Sequence, residues 1–399
     1  MSKQDINRPV TLGAAIMLTL VGMNMLHVHP LFVGAVADQL GFSGEQLGML
    51  AGIETTGMGL AALLAVTWIR RSNWRWAASA AICVTIAGHL LTLSQESFVG
   101  LLVVRGLTGF LGEGVVLAIG IAMLSETRDT DRAFAIMVMA YVIQIIVGLV
   151  LLPHFIGLYG ISGLVLPLAG FALLGLLAPY LAPERGSMAC STEQIEQRSG
   201  TQGNGPVFWG LAAQLVWYMG ITGALWTFIE RIGASAGFNA TDIGSTLALA
   251  MGLSFLGSAI ATALSDRFGK LYPFLLTMLV QGLAVLWFLG LDSLLIYTVA
   301  WCAINVVWNY GLPYVYAAVA DADYSGRYVV TVPTAQTFGA AIGASLAGFL
   351  VRGDDYSGVV YFVILTCAGA GILYTVMIRR TTSFGDKEAV EYMGQQRGL

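Results

Sequence analysis

The chain contains one pattern twice: GFSGEQLGMLAGIETTGMGLAALLAVTWIRRSNW at residues 41–74 and GFNATDIGSTLALAMGLSFLGSAIATALSDRFGK at residues 237–270. The two stretches align without a gap, and each opens with Gly-Phe followed by an N-cap candidate, Ser43 or Asn239. Ser43 also forms a capping-box pattern with Gln46. Chance similarity between two apolar helices is the alternative, but a shared cap at the same register favours an internal duplication.

The composition indicates a membrane protein. Hydrophobic residues make up 57% and charged residues 11% of the 399 residues, and the mean hydropathy is +0.77. A soluble domain carries roughly 25% charged residues. The net charge of -4 is too small to predict a nucleic-acid partner. The four cysteines lack paired spacing, so they predict packing thiols rather than a disulfide or metal site, and we expect no cofactor.

Twelve apolar runs are long enough to cross a bilayer, which takes about 20 residues per helix. The predicted spans are 11–37, 46–68, 76–95, 98–123, 133–158, 162–182, 207–232, 243–264, 271–290, 293–319, 329–351 and 357–378. The connections are short except for residues 183–206, which are polar and rich in Gly and Ser. The sequence therefore predicts an all-α membrane protein with two six-helix bundles, residues 1–182 and 207–399, joined by a linker.

The basic residues predict the orientation of the spans. With the N-terminus inside, all but three of the 19 Lys and Arg residues fall in cytoplasmic segments; the exceptions are Arg105, Arg231 and Arg352. Cytoplasmic loops carry an excess of Lys and Arg. Both termini are therefore predicted to be cytoplasmic, and the protein to lie in the inner (plasma) membrane.

Two motifs carry a resemblance to a known family. After the eighth span, TALSDRFGK matches the loop pattern G-x-x-x-D-R-x-G-R at Asp266, Arg267 and Gly269, with Lys270 in place of the last Arg. In the fourth span, RGLTGFLGEG matches R-x-x-x-G-x-x-G starting at Arg105. Together with the twelve spans and the linker, these motifs make the chain similar to the major facilitator superfamily over essentially its whole length.

The resemblance implies a secondary transporter that works by alternating access, with helices 1, 4, 7 and 10 lining a central cavity and helices 3, 6, 9 and 12 facing lipid. It also implies a cytoplasmic gate, for which the candidates are Asp266, Arg267, Gly269, Asp321 and Arg327. The counterpart loop after the second span, AVTWIRRSNWR, departs from the family pattern because it lacks the Asp. The fifth span, MVMAYVIQIIVGLVLLPHF, lacks the family's exporter motif, which favours uptake over efflux.

Ionisable residues inside the apolar spans are candidates for proton coupling, because a charge in the membrane is costly and usually functional. At roughly 1.5 Å per residue, His27, Glu54 and Arg105 fall in one layer, and Glu113 lies about two turns deeper. Glu54 is predicted to be the titrating carboxylate, with Glu113 as its rival, and the resemblance associates Arg105 with coupling. A static Arg105–Glu54 pair that only tethers two helices is the alternative. His29 is predicted to pack against a neighbouring helix.

Aromatic and amide side chains predict a substrate-binding wall. In the tenth span, Trp301, Asn305 and Trp308 share one helix face, and an amide in the membrane needs a hydrogen-bond partner. The full set of binding candidates is Asn24, Trp217, Tyr218, Trp301, Asn305, Trp308 and Asn309. Such a wall suits a small amphipathic or aromatic organic solute, with organic acids among the candidates.

The leading prediction is therefore a proton-coupled transporter of a small organic solute, not an enzyme, which works as a monomer in the bilayer. A proton-antiport efflux pump for a toxic compound is the alternative within the same class. A membrane-embedded enzyme or a non-transporting receptor is the alternative from another class. The sequence contains neither H-E-x-x-H nor G-x-S-x-G, two motifs that such an enzyme could use.

Overall fold

The computed structural model describes residues 8–185, 205–265, 267–323 and 331–397, and a helical segment occurs at each predicted span. The helices are α1 (Pro9–His27, continued as His29–Leu40), α2 (Gly44–Trp68), α3 (Trp74–Thr92), α4 (Phe98–Ser125), α5 (Thr130–Tyr159), α6 (Ile161–Gly175, then Ala178–Leu181), α7 (Gly205–Ser235), α8 (Ala240–Leu264), α9 (Leu271–Leu286), α10 (Leu294–Ala322), α11 (Val332–Gly348) and α12 (Ser357–Arg397). Nine of these described helices are long and apolar enough to cross a membrane; α3, α9 and α11 are the others. Most of the predicted linker lies outside the described residues.

The duplicated pattern folds in the same way in both halves, α1–α6 and α7–α12. The N–H of Gln46 donates to Ser43 Oγ over 3.3 Å, and the N–H of Ser43 donates to Gln46 Oε1 over 3.0 Å. At the start of α8, a backbone N–H donates to Asn239 Oδ1 over 2.8 Å. Gly41 and Gly237 precede the two caps with φ of 65° and 85°, a conformation that glycine adopts at little steric cost. The predicted capping box is confirmed, and the shared local structure supports the duplication.

Helix α1 is interrupted near its middle, where the backbone of Val28 leaves the helical region with φ -119° and ψ 18°. Pro30 has no N–H, so it cannot bond to the carbonyl of Leu26 four residues earlier. The indole N–H of Trp226 in α7 donates to that carbonyl instead, over 3.3 Å. The carbonyl left free by Pro30 therefore accepts a hydrogen bond from the other half.

In the described part of the chain, the most extensive contacts between the halves are those of α1 with α7, α2 with α11, and α5 with α8. A Cβ added at Gly48 would lie 2.8 Å from the Cα of Gly348, and one at Gly244 would overlap the backbone carbonyl of Leu149 in α5. Backbones therefore meet directly at these glycines. Because short connections make consecutive helices antiparallel, these contacts all lie toward the end of the bundle opposite Pro9, which we call the distal end; the end that holds Pro9 is the proximal end.

An ion-pair network also joins the halves at the distal end. Arg231 of α7 donates from Nη1 to Asp38 Oδ1 of α1 over 2.6 Å, and from Nε to Glu230 Oε2 over 2.6 Å. Asp38 is exposed, whereas Glu230 is buried against Gly34 of α1. We call Asp38, Glu230 and Arg231 the distal latch. The sequence placed all three near this end of their helices, but it did not predict that they pair.

Breaking the distal latch is expected to favour separation of the halves at this end. For Arg231→Gln we expect a roughly 1.4-fold to fivefold change in the ratio of open to closed populations, because an exposed partner limits the pair to about 0.2–1 kcal/mol. Spin-label distances between the distal ends of α2 and α8 would report the change. Arg352→Gln is the matched control, since Arg352 lies in the distal turn between α11 and α12. An unaltered distance distribution in Arg231→Gln would contradict the latch.

Candidate functional site

Five ionisable side chains from α1 to α4 meet inside the N-terminal half: His29, Glu54, His89, Arg105 and Glu113. Each is at most 2% exposed. Arg105 donates from Nε to Glu54 Oε2 over 3.1 Å and from Nη2 to Glu54 Oε1, so it binds this carboxylate in a bidentate manner. The same Nη2 donates to Glu113 Oε1 over 3.1 Å. We call these five residues the buried charge cluster.

Glycines of the fourth-span motif allow the cluster to form. A Cβ at Gly109 would lie 3.2 Å from the carbonyl carbon of Glu54 in α2. A Cβ at Gly112 would lie 3.0 Å from the backbone nitrogen of Thr85 in α3. Because these positions carry only hydrogen, α4 packs closely against both neighbours and brings Glu54 and His89 to one site.

A π-helical turn at Thr108–Glu113 places both carboxylates on the same arginine. In a regular α-helix, Arg105 and Glu113 would lie about 80° apart around the axis and about 12 Å apart along it. The wider π turn absorbs an extra residue and turns Glu113 toward Arg105, whose long side chain spans the remaining distance. The prediction that Glu113 lies in a separate, deeper layer is therefore wrong.

His89 belongs to the cluster, although the sequence placed it in a helix expected to face lipid. Its Nδ1 lies 3.2 Å from Nη1 of Arg105. Arginine only donates, so Nδ1 must accept, which assigns the ring proton of a neutral His89 to Nε2. That Nε2 lies 3.9 Å from Glu113 Oε1, and Glu113 Oε2 has no hydrogen-bond partner among the described residues. A histidine inside an apolar span was the signal that could have identified this residue.

The two histidines of α1 lie on different sides of the helix and have different neighbours. His29 Nε2 lies 3.9 Å from Glu54 Oε2, so His29 adjoins the buried charge cluster. His27 instead lies against α5, with its Nδ1 2.8 Å from Gln144 Oε1 and its ring 4.9 Å from the ring of Tyr141. Of the three residues predicted to share a layer, Glu54 and Arg105 meet, and His29 takes the place expected for His27.

The C-terminal half contains a cluster of aromatic and amide side chains: Gln214, Tyr218, Trp308, Tyr316 and Gln336. The rings of Tyr218 and Trp308 lie 6.2 Å apart. The Tyr316 hydroxyl donates to Gln336 Oε1 over 3.2 Å, and Gln336 Nε2 donates to Gln214 Oε1 over 2.7 Å. Gln214 Nε2 has no partner among the described residues. We call this set the aromatic–amide wall. Tyr218 and Trp308 belong to the predicted binding set, whereas the amides Gln214 and Gln336 do not, although both interrupt apolar spans.

Three other binding candidates lie beside this wall, and Trp217 touches it, with its ring centre 5.8 Å from that of Tyr218. Trp301 stacks on Trp226 with ring centres 6.0 Å apart and planes 14° apart, and its indole N–H has no partner among the described residues. Trp217 is fully buried, and its indole N–H donates to Gln281 Oε1 of α9 over 2.8 Å. The Asn305 amide donates to the carbonyl of Trp301 over 2.9 Å. Trp217 therefore fills the interior between α7 and α9, and the backbone of α10 supplies the partner that Asn305 was expected to need.

The last two binding candidates are Asn24, in the N-terminal half, and Asn309, in the middle of α10. Asn24 donates to the carbonyl of Leu168 in α6 over 3.1 Å and accepts from Gln144 Nε2 over 3.3 Å. Asn309 is half-buried in α10. Asn24 therefore belongs to the same hydrogen-bonded group as His27.

The predicted cytoplasmic gate is only partly described. Asp266 and Arg327 lie outside the described residues, so their part in the gate stays a prediction. Asp321 at the end of α10 forms an ion pair with Lys270 at the start of α9 rather than with Arg267, which is exposed. Gly269 turns the loop with φ 64°. This ion pair lies within the C-terminal half, so it does not join the two halves.

The internal repeat shows how the two halves differ chemically. Residue 41 corresponds to residue 237, an offset of 196, and the same offset relates the N-caps of α4 and α10. Arg105 then corresponds to Trp301, Glu54 to Ala250 and Glu113 to Asn309. The charges are therefore confined to the N-terminal half, and the C-terminal half has uncharged residues in the corresponding places.

Three solved structures share the fold. A mutant of the nucleoside transporter NupG aligns with a TM-score of 0.71 at 10% identity, covering 93% of this chain and 99% of that chain. A bacterial homologue of the human lysosomal transporter Spinster, inward-facing and occupied, aligns with a TM-score of 0.68 at 16% identity, covering 93% and 97%. A bacterial homologue of the iron transporter ferroportin, inward-facing, aligns with a TM-score of 0.69 at 13% identity, covering 93% and 98%. These identities establish a common fold only.

Sequence comparison identifies the family. No curated relative matches the chain significantly. The family model described as Major Facilitator Superfamily matches residues 12–322, which is more than half of the chain. The match covers the helices that build the buried charge cluster and most of those that build the aromatic–amide wall. The chain therefore belongs to the Major Facilitator Superfamily and is a multi-pass membrane transporter rather than an enzyme.

Proposed function

We propose that the protein is a proton-coupled transporter that takes up a small organic solute across the inner (plasma) membrane. It works as a monomer by alternating access between residues 1–182 and 207–399, and the proximal end faces the cytoplasm. The observation that carries the proposal is the buried charge cluster, in which two carboxylates share one guanidinium. Repeated halves around a central site are the architecture that secondary transporters use.

The charge balance of the cluster supports a proton site. With both carboxylates ionised and both histidines neutral, Arg105 balances only one of the two negative charges. The buried cluster would then have a net charge of −1. Such a charge inside a membrane costs at least about 2.5–3.5 kcal/mol. One proton removes that cost, and it can leave when the site opens to water.

Glu113 is the better placed of the two carboxylates to hold this proton. Glu54 receives two bonds from Arg105, whereas Glu113 receives one and keeps Oε2 without a donor. The carboxylate with fewer donors gains less from being ionised. The sequence predicted Glu54 as the residue that binds the proton, but we propose Glu113 for this role. Glu54 then stays ionised and remains paired with Arg105.

Helix α1 offers a connection between the proton site and alternating access. Its distal segment begins with His29, which lies beside Glu54, and ends near Asp38, which belongs to the distal latch. Opening the distal end would displace this segment and with it the contact of His29. A change of charge in the cluster can thereby favour one conformation over the other.

The aromatic–amide wall supports a flat substrate with hydrogen-bond acceptors. Gln214 Nε2 in the wall, and the indole N–H of Trp301 two turns away from Trp308 in α10, are buried donors without a partner among the described residues. A buried donor left unpaired costs about 1–3 kcal/mol, which an acceptor on a ligand would offset. Carbonyl, carboxylate and ring-nitrogen groups are acceptors of this kind, so aromatic acids and amides are the first compounds to examine.

The test of the proposal is transport by the purified protein in proteoliposomes. A thermal-shift panel of organic acids, sugars and aromatic compounds would first identify a ligand. We expect an inwardly directed proton gradient to drive accumulation of that ligand, with proton entry in parallel and loss of accumulation when a protonophore is added. Accumulation that does not depend on the proton gradient would refute proton coupling. Proton entry accompanied by exit of the ligand from the vesicles would establish efflux instead.

Substitutions in the aromatic–amide wall are expected to weaken substrate binding without unfolding the protein. Trp308→Ala should weaken binding roughly threefold to tenfold, because an aromatic pair contributes about 0.5–1.5 kcal/mol beyond its buried area. Gln214→Leu should weaken it by removing an unpaired donor. Binding would be measured by calorimetry on detergent-solubilised protein. The control is Trp287→Ala, because this tryptophan directly follows α9 and is exposed. Wild-type affinity in both wall variants would show that the substrate binds at another site.

A further inference from the structure

A groove runs along the outer surface of the C-terminal half between α9 and α12. Its volume is about 580 Å³, and it lies apart from the buried charge cluster and the aromatic–amide wall. Leucine, isoleucine, methionine and valine side chains provide most of its lining. Thr375 is one of its polar residues, but the hydroxyl already donates to the carbonyl of Gly371 over 2.7 Å. The body of the groove is therefore suited to a hydrocarbon chain.

Two glycines keep the groove open. A Cβ added at Gly282 of α9 would meet nothing within 4 Å, so this residue borders empty space. A Cβ at Gly371 of α12 would lie 3.4 Å from Leu275 Cδ2, so the helices approach each other at this level without filling the groove. A larger residue at Gly282 would project into the groove without displacing a neighbour.

The proximal end of the groove carries a positive charge. Arg379 lines this end. It lies 22 residues after Ser357, where α12 begins, which places it roughly 33 Å below the distal start of the helix. The hydrocarbon core of a bilayer is about 30 Å thick, so Arg379 reaches the level of the lipid head groups. The next residue, Arg380, lies with its guanidinium 5.3 Å from the ring centre of Trp209, which adds a second charge at the same level.

We propose that this groove binds one anionic phospholipid, with an acyl chain along α9 and α12 and the phosphate at Arg379. The apolar lining accounts for the chain, and the arginine at head-group depth accounts for the preference for negative charge. Basic residues between membrane helices on this side of a bilayer are a known basis for selecting anionic lipids. The site is independent of the transported substrate, since its lining contains no residue of the aromatic–amide wall.

Native mass spectrometry of the full-length protein in detergent would test the site. The probes are dioleoyl phosphatidylglycerol, which is anionic, and dioleoyl phosphatidylcholine, which is zwitterionic with the same chains. We expect the wild type to retain the first lipid preferentially. Arg379→Gln should reduce its retention roughly fivefold while leaving the second unchanged, because one basic residue contributes about that factor. Gly282→Leu should reduce retention of both lipids by filling the groove.

Matched controls separate this site from general lipid adsorption. Gly170→Leu adds the same side chain at an exposed glycine of α6, and Arg352→Gln removes a charge at the distal end; both should retain lipid as the wild type does. If Arg379→Gln does not fold, Gly282→Leu decides the question. Equal retention of the two lipids by the wild type would overturn the proposal. So would wild-type retention in Gly282→Leu, or a dimer that this substitution dissociates, which would assign the groove to a second copy of the chain.

Discussion

Replacing Arg105 with alanine is expected to abolish transport and to lower the temperature of thermal unfolding. Arg105 is fully buried, and its guanidinium bonds to Glu54, Glu113 and His89. Removing it leaves two carboxylates without their cation in a site from which water is excluded. Breaking a buried ion pair by removing one partner costs roughly 3–5 kcal/mol. Transport into proteoliposomes should fall to the level of empty vesicles, while Arg352→Ala at the distal turn should behave as the wild type.

A neutral triple variant distinguishes a functional cluster from a helix tether. Arg105→Met combined with Glu54→Gln and Glu113→Gln removes all three charges together, and neutral replacement of a complete buried ion-pair network is often tolerated. We expect the triple variant to regain much of the stability that Arg105→Ala loses, and to remain inactive in gradient-driven transport. Recovery of gradient-driven transport would show that the pair only tethers α2 to α4.

Local signals in the sequence were sufficient to predict much of the fold. The capping box of Ser43 and Gln46 involves residues three apart, so it can be recognised without tertiary information, and it forms as predicted. The fourth-span glycines were identified only as a family motif, but glycine in an apolar helix also lets a neighbouring helix approach the backbone closely. The approach occurs at Gly109 and Gly112, and it brings Glu54 and His89 to Arg105.

Features that depend on helix geometry or tertiary contact were not predictable. The predicted depth of Glu113 relative to Arg105 assumed a regular helix with about 3.6 residues per turn. The π turn at Thr108–Glu113 lies between these two residues, so the assumption fails there. Trp217 and Tyr218 are adjacent in α7 but face different neighbours, α9 and α10, because successive residues in a helix point about 100° apart. The distal latch pairs residues 193 apart in the chain, and no local pattern reports such a contact.

Neutralising the two carboxylates separately is expected to identify the proton carrier. Glu113→Gln mimics the protonated acid and leaves the two bonds between Arg105 and Glu54 in place. We expect this variant to bind substrate and to exchange it across the membrane at close to the wild-type rate, because neither process requires net proton movement. Accumulation driven by a pH gradient should be lost completely, because the cycle no longer carries a proton.

Glu54→Gln should behave differently, because it removes the carboxylate that Arg105 holds with two bonds and that His29 adjoins. Glu113 then becomes the only carboxylate that pairs with Arg105, and the net charge of this pair is zero. No second carboxylate remains that could take up a proton without breaking the ion pair. We therefore expect both exchange and accumulation to fall in this variant. Exchange of labelled substrate at equal pH and accumulation under an imposed gradient would be measured on the same vesicles, with Glu45→Gln as a control at an exposed carboxylate of α2. If Glu54→Gln instead keeps exchange and loses only accumulation, while Glu113→Gln still accumulates substrate, the proton is carried by Glu54, because the surviving carboxylate must be the one that titrates during the cycle.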